Sequence, residues 1–269
     1  MIRVGIIGCG TIGSALAAAV EKKFSRFARI SYISDINPAQ IAKFRKKIGS
    51  SKFRIVSIPE LIRKSDFVIE TASVSAAAQV IPTVLAHGKD ILILSVGGIL
   101  KINHLQRLLQ KSRGHVYIPS GGIAGIDAIL ASKTGTINSI RITTHKPLSS
   151  LQSSPYFLKN RSRLGSIKKP KLVFEGNAAE AIRNFPENVN VAVTLSLAGI
   201  GPRKTHVRIF TSPTYHHNMH EIEVQSSFGK VISQVTNIPS RQNPKTSALA
   251  IGSAIATLEK IFSRFKIGT

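Results

Sequence analysis

Through its first half the chain alternates short aliphatic runs with longer amphipathic stretches. Residues 3–7 read as a strand buried on both faces, followed by a glycine-rich turn and an alanine-rich helical pattern over 14–27. A second aliphatic run covers 30–33, and Asn37-Pro38 opens a helix over 39–48 with proline in its first turn. Further strands are predicted at 53–56, 66–72, 91–94 and 115–118, with helices at 59–64, 75–87 and 103–110 between them. Alternation of this kind predicts the α/β class, a Rossmann-type doubly wound parallel sheet.

The pattern changes at the second glycine-rich stretch, 119–125. Beyond it, 137–144 alternates as a half-exposed strand. The span 148–171 is rich in Ser, Lys and Arg and reads as a surface excursion. Strands are expected at 172–175, 207–211 and 221–226, and helices at 178–185 and 189–198. Phe228-Gly229-Lys230 turns the chain into 231–235 as an antiparallel partner. A long helix over 246–265 closes the sequence, its alanine and aliphatic face in need of a packing partner. The expected organisation is a dinucleotide-binding domain of residues 1–119 plus 241–269, and a second, α+β mixed-sheet domain of residues 120–240 that binds substrate.

The first 35 residues carry the most specific signal. Gly8, Gly10 and Gly13 form G-x-G-x-x-G between a strand and a helix, with Thr11 and Ile12 inside the motif. In this fingerprint the first glycine permits the tight turn, the second lets backbone approach a pyrophosphate, and the third lets helix and strand pack closely. The free N–H groups of the new helix face the phosphates. Asp35 lies 22 positions after Gly13 at the end of the second aliphatic run, where an acid is expected to take the adenosine ribose 2′-OH. A glycine turn that merely packs a helix leaves Asp35 without a role.

Composition narrows the choice of partners. The lone cysteine, Cys9, excludes an intrachain disulfide and a multi-cysteine metal site. Its place beside a helix N-terminus would lower its thiol pKa, although a small residue also simply fits the loop. The first strand starts at once and no apolar run is long enough to span a membrane, so a cytoplasmic protein is expected. Thirty-seven Lys and Arg against 13 Asp and Glu give a net charge of +24, which raises the question of nucleic acid. The basic residues are scattered, however, among positions such as Lys22, Lys23, Arg26 and Arg29, then Lys43, Arg45, Lys46 and Lys47, and later Arg161, Arg163, Lys168, Lys169 and Lys171. They do not interleave with aromatic residues, so solvated helix surface is favoured and no specific nucleic-acid partner is expected.

Taken together, these motifs resemble the L-aspartate dehydrogenase family nearly end to end. The carriers are the Gly8–Gly13 fingerprint, Ile118-Pro119-Ser120-Gly121-Gly122-Ile123-Ala124-Gly125, Lys146-Pro147, Phe185-Pro186-Glu187-Asn188-Val189-Asn190-Val191-Ala192, Asn218-Met219-His220-Glu221-Ile222 and Asn243-Pro244-Lys245-Thr246-Ser247. The resemblance implies NAD(P)-dependent oxidative deamination of L-aspartate to iminoaspartate, then oxaloacetate and ammonia, with a supply role in NAD biosynthesis. It assigns His220 as the active-site residue and Ala124 and Asn190 as cofactor contacts. The basic insertion at 161–171 departs from the family pattern.

Oxidising an amino acid at Cα requires a proton acceptor and groups that bind two carboxylates. His220 stands in a strand where Ile222 and Val224 share its side while Glu221, Glu223 and Gln225 point away. Alternation alone favours a core histidine; the family motif favours a base, with an ordinary pKa near 6.5 suited to proton exchange. Lys146 and Lys245, each beside a proline, are candidate carboxylate partners. Asn188 and Asn190 are alternatively helix caps, as are Thr246 and Ser247. His216 and His217 near His220 suggest zinc, but their irregular spacing argues against it and no metal is expected. The cofactor expected is NAD, with NADP admitted, and the assembly a homodimer. The competing readings are a related dehydrogenase of the homoserine dehydrogenase or dihydrodipicolinate reductase type, and a non-catalytic dinucleotide sensor that binds nucleic acid through its charge.

Overall fold

The computed structural model describes the chain except residues 50–52, 160–166, 187–188, 241–242 and 269, and the side chains at 244 and 245. The chain forms two compact units, Met1–Pro119 with Ile251–Lys266, and Ser120–Ala250 with Ile267–Thr269. Return to the first unit thus begins at Ile251 rather than at the expected 241. The intervening residues are held in the second unit by a small hairpin and by a hydrogen bond from Ala248 N–H to the Ile238 carbonyl.

In the first unit, strands and helices alternate in this order: β1 (Ile2–Ile7), α1 (Thr11–Lys23), β2 (Ala28–Ser34), α2 (Pro38–Ile48), β3 (Arg54–Ile55), α3 (Ile58–Lys64), β4 (Phe67–Glu70), α4 (Val74–Ala86), β5 (Asp90–Ile93), a 3-10 turn (Val96–Lys101), α5 (Leu105–Lys111) and β6 (Val116–Tyr117). The six strands pair in parallel in the order β3-β2-β1-β4-β5-β6. Strand order reverses between β1 and β4, the switch point where such sheets bind ligands. Helix starts follow side-chain chemistry. Asn37 accepts from Ala39 N–H, Ser57 from Glu60 N–H and Ser73 from Ala76 N–H, each satisfying a donor that the first turn leaves open. Helix α1 ends at Lys23 instead of running to 27, because Phe24 N–H bonds back to Ala19 and Val20 and the chain turns at once into β2.

The second unit contains α6 (Ile126–Ser132), β7 (Ile137–Pro147), α7 (Leu148–Leu151), α8 (Pro155–Lys159), β8 (Lys171–Asn177), α9 (Ala178–Asn184), α10 (Asn190–Ala198), β9 (Thr205–Ser212), β10 (Asn218–Ser226), β11 (Gly229–Asn237), and the hairpin β12 (Pro239–Ser240) and β13 (Asn243–Ser247). A mixed five-stranded sheet runs β11-β10-β7-β9-β8, with β7 and β9 parallel and the other neighbours antiparallel. One face carries Ile140, Ile142, Val207, Ile209, Ile222 and Val224, all buried. The expected surface excursion after β7 is partly core. Leu151 and Phe157 are buried, and the Phe157 ring meets Phe185 edge-on at 6.4 Å. The serines and lysines of that span hide this apolar spacing in the sequence. Arg161 and Arg163 lie outside the described residues.

The last helix, α11 (Ala248–Phe262), adds to the first core from Ile251 onward. Ala254, Leu258 and Phe262 are buried there, and the Phe262 ring lies 5.6 Å from Phe24 and 6.0 Å from Phe67. Leu258 has no exposed surface. Replacing it with Ala removes buried methyl groups and leaves a cavity, so Leu258→Ala is expected to lose about 2–5 kcal/mol in urea denaturation. A loss below about 1 kcal/mol would mean that α11 does not complete this core.

Candidate active site

At the carboxyl end of the parallel sheet, the glycine loop is held by contacts that leave no room for side chains. Gly8 has φ +97°, and a Cβ there would strike the Thr71 and Ala72 backbone 2.8 Å away. A Cβ on Gly13 would collide with the Gly8 carbonyl, so strand and helix approach as closely as the motif demands. Above Gly10 nothing lies within 4 Å of where a Cβ would sit, which leaves open the approach a pyrophosphate needs. Thr11 and Ile12 form the first turn of α1. The Asp35 carboxylate closes the far side: Oδ2 accepts from Cys9 N–H at 2.6 Å and Oδ1 from Asn37 N–H at 2.8 Å. These bonds fix the acid against the loop. The residues fit a dinucleotide. Cys9, in contrast, is not an activated thiol, because burial and then the Asp35 charge push it up to about 12.

The same end of the sheet holds a carboxylate that the pattern of the sequence concealed. Glu70, the last residue of β4, has no exposed surface. Its Oε1 accepts from Ala72 N–H at 2.8 Å and Ser73 N–H at 3.1 Å, and its Oε2 accepts from Ser95 N–H at 3.1 Å. Burial raises its pKa against the opposing pull of these donors. Glu70 thereby ties the loop after β4 to the loop after β5, while the Thr71 hydroxyl donates to the Gly8 carbonyl at 2.8 Å. An acid ending an otherwise apolar strand at the switch point is the available signal.

In the second unit, strand register gathers the other candidates. His220 lies directly opposite Thr144 across the β10–β7 pair, and Lys146 follows two residues later on the same face of β7. His220, Thr144 and Lys146 are 4%, 3% and 6% exposed, so all three are withdrawn from bulk water. The His220 Nδ1 lies 3.0 Å from Thr144 Oγ1. With Nδ1–H donating to that oxygen, Nε2 keeps its lone pair for a substrate. Burial first, then the charges of Lys146 and His145, push the imidazole down to about 3, well below the ordinary value expected from sequence. Lys146 is pushed down to about 8 by burial alone, and among the described residues no carboxylate pairs with it.

Loop 120–125 lies across the same face at β11. The Asn237 amide donates to the Gly122 carbonyl at 2.9 Å, Ser247 Oγ donates to Asn237 Oδ1, and Ser233 Oγ donates to the Ala124 carbonyl at 3.0 Å. A Cβ placed on Gly121 would lie 3.7 Å from the Val191 side chain in the first turn of α10. Ala124 thus lies in this loop, and Asn190 is the first residue of the helix beside it. Val189 rather than an asparagine occupies the position before α10, with no side-chain cap; Asn188 lies outside the described residues. Ser247 does cap α11, accepting from Ala250 N–H at 3.3 Å. The side chain of Lys245 is outside the described residues. His216 and His217 are exposed whereas His220 is buried, and among the described residues no three His, Cys, Asp or Glu side chains form a metal-holding group. No described helix is long and apolar enough to cross a membrane.

A glycine-loop parallel sheet together with a mixed sheet bearing a buried histidine and lysine defines a two-domain, NAD-binding dehydrogenase. Residues 127–261 match the family described as aspartate dehydrogenase, C-terminal, and residues 8–119 match the homoserine dehydrogenase NAD-binding domain. The chain is 40% identical over 272 residues to the L-aspartate dehydrogenases of Methanosarcina barkeri and Methanocella arvoryzae, with both partners covered in full each time. The crystal structure of aspartate dehydrogenase from Thermotoga maritima aligns over 100% of both chains with a TM-score of 0.72 and 25% identity. The chain belongs to the L-aspartate dehydrogenase family, and is an NAD(P)-dependent oxidoreductase.

The depressed proton affinity of His220 has a consequence for stability. The unfolded imidazole takes a proton near 6.5, while the native one stays neutral down to about 3. Its contribution is therefore present above about pH 6.5 and is lost as pH falls from there toward 3. His220→Gln should lose less stability than the wild type between pH 7 and pH 4.5, measured by urea denaturation at each pH. Identical pH slopes would show that the imidazole is not buried in its neutral form.

Proposed function

We propose that the protein oxidises L-aspartate at Cα to iminoaspartate, which water converts to oxaloacetate and ammonia, and that His220 is the proton-transfer group. The observation that carries this reading is a buried imidazole held at Nδ1 by Thr144, beside a buried lysine with no acidic partner among the described residues. His220 Nε2 takes a proton from the substrate ammonium and releases it to solvent; at the imine stage it takes one from the attacking water and returns it to the departing amine. Lys146 offers its ammonium to a substrate carboxylate, and Lys245 is a second candidate for that role. Bound NAD supplies the two-electron oxidation. Gly8, Gly10, Thr11, Ile12, Gly13 and Asp35 hold its adenosine and pyrophosphate portions, and Ala124 and Asn190 are assigned contacts to the same cofactor. The reaction suits a supply step for NAD biosynthesis, and we place it in the cytoplasm. A homodimer is the expected assembly, in keeping with an outer sheet face on which Ile232 is 66% exposed and Phe210 and Met219 are half-buried.

Reduced-nicotinamide absorbance with L-aspartate and NAD tests the reaction itself. His220→Ala is expected to lower turnover by roughly 10²–10⁴, the range for losing a positioned acid or base, with the NAD dissociation constant unchanged. Near-normal turnover in a variant that unfolds at the wild-type temperature would return His220 to a structural role.

Asp35 sets a second expectation. Its carboxylate accepts a ribose hydroxyl and repels a 2′-phosphate, so NAD should bind more tightly than NADP, and Asp35→Ser should narrow the gap. Direct titration of both cofactors measures this. Equal or tighter NADP binding by the wild type would overturn the assignment of Asp35.

A further inference from the structure

Among the described residues, the inner face of the mixed sheet combines two groups of like tendency and no opposite charge. The groups facing His220 are Thr144 and Lys146 from β7, Asn218 from its own strand, and Val235 and Asn237 from β11. His145, next to Thr144, points to the other face, where its Nε2 lies 3.9 Å from Glu221. Loop 120–125 and helix α10 contribute no titratable side chain. Among the described residues, Lys146 and His145 are accordingly the charged or titratable groups that act on the imidazole, and both disfavour its protonated form. A base so placed is neutral at working pH but weak. In the Brønsted sense it is poorly matched to a proton that it must accept near neutrality.

We propose that Lys146 couples the base to an acidic substrate: a carboxylate seated on the Lys146 ammonium cancels the like charge beside His220 and makes the imidazole a stronger proton acceptor in that complex. The ligand class is a small dicarboxylate, and Lys146 is a specificity-determining residue as well as an anchor. A monocarboxylic amino acid that leaves Lys146 unpaired would meet a weak base even when its Cα is well placed. The site then discriminates through proton affinity in addition to contact energy. This inference rests on the reading of His220 as the proton-transfer group.

The pairing is readable without turnover. Histidine-labelled full-length protein with NAD present is followed by NMR as pH is lowered, with and without succinate, which has the two carboxylates but no amine to oxidise. The His220 ring signal is assigned from its loss in His220→Gln. Succinate should raise the midpoint of the wild-type signal by at least about one pH unit, the size expected for removing a charge a diagonal strand neighbour away. In Lys146→Met the midpoint should already be higher without succinate, and succinate should move it much less. Lys146→Arg, which keeps the charge and guards against a folding failure of the Met variant, should behave as wild type. Calorimetry should show succinate binding at least tenfold weaker in Lys146→Met than in Lys146→Arg. An unchanged midpoint in Lys146→Met, or an equal response to succinate in both variants, would overturn the coupling. The turnover of His220→Ala separately decides whether His220 is the base, so failure of one reading is not mistaken for failure of the other.

Discussion

Strand register between β7 and β10 is the constraint on which the catalytic half depends. Side chains alternate with period two, so a one-residue slip of β10 against β7 would turn His220 to the outer face, away from Thr144 and Lys146, and bring Glu221 inward. Ile222 and Val224 oppose that slip, because both would leave the core along with His220. Hydrophobic burial lower in the sheet therefore fixes polar geometry at its end. Thr144 adds the last restraint on the ring, since a hydroxyl 3.0 Å from Nδ1 limits the imidazole to one orientation.

The nucleotide half obtains its precision from close backbone approach. Gly13 against the Gly8 carbonyl and Gly8 against Thr71 and Ala72 lock the glycine loop between β1 and β4. Glu70 continues the same device one layer further, using one carboxylate to hold backbone N–H groups from two loops. A buried acid with only polar donors around it costs desolvation free energy, and charge-assisted bonds to fixed backbone donors offset that cost. The arrangement holds three consecutive loops at the switch point with side chains from only a few positions.

Local patterns carried most of the fold. The β1–α1–β2 fingerprint with Asp35, the change of pattern near residue 119 and the inward side of His220 could all be read from spacing. What could not be read depended on neighbours distant in sequence. Thr144 is unremarkable until β10 is laid beside β7, 76 residues apart. Leu151 and Phe157 look like scattered apolar residues in a polar segment until Phe185 is placed against Phe157. The proton affinities of Cys9 and His220 follow from burial, which local sequence does not report, and both lie far from the values their residue types suggest. The end of α1 has a different cause: residues 24–27 are helix-compatible, but they form the turn that brings Ala28 into its pairing with Ile2.

The strongly basic composition acquires a specific meaning when the acids are followed one by one. Asp66 is bound by Arg3, Glu60 by Lys64, Glu259 by Lys23 and Glu223 by Lys230. Asp35, Glu70, Glu21 and Glu180 hold backbone N–H groups, and Glu175 lies between His206 and Arg208. These nine carboxylates are thus committed to structure, and among the described residues no carboxylate pairs with Lys146 on the face that carries His220. A stray acid there would neutralise Lys146 internally, occupy the place proposed for a substrate carboxylate and raise the proton affinity of His220 with no substrate bound. Excess positive charge elsewhere adds a long-range field that favours approach of a dianion and weakens with salt. Approach and discrimination are then separate effects: the surface charge acts on any anion, whereas the desolvated ammonium beside the imidazole acts only on one that can enter and pair with it.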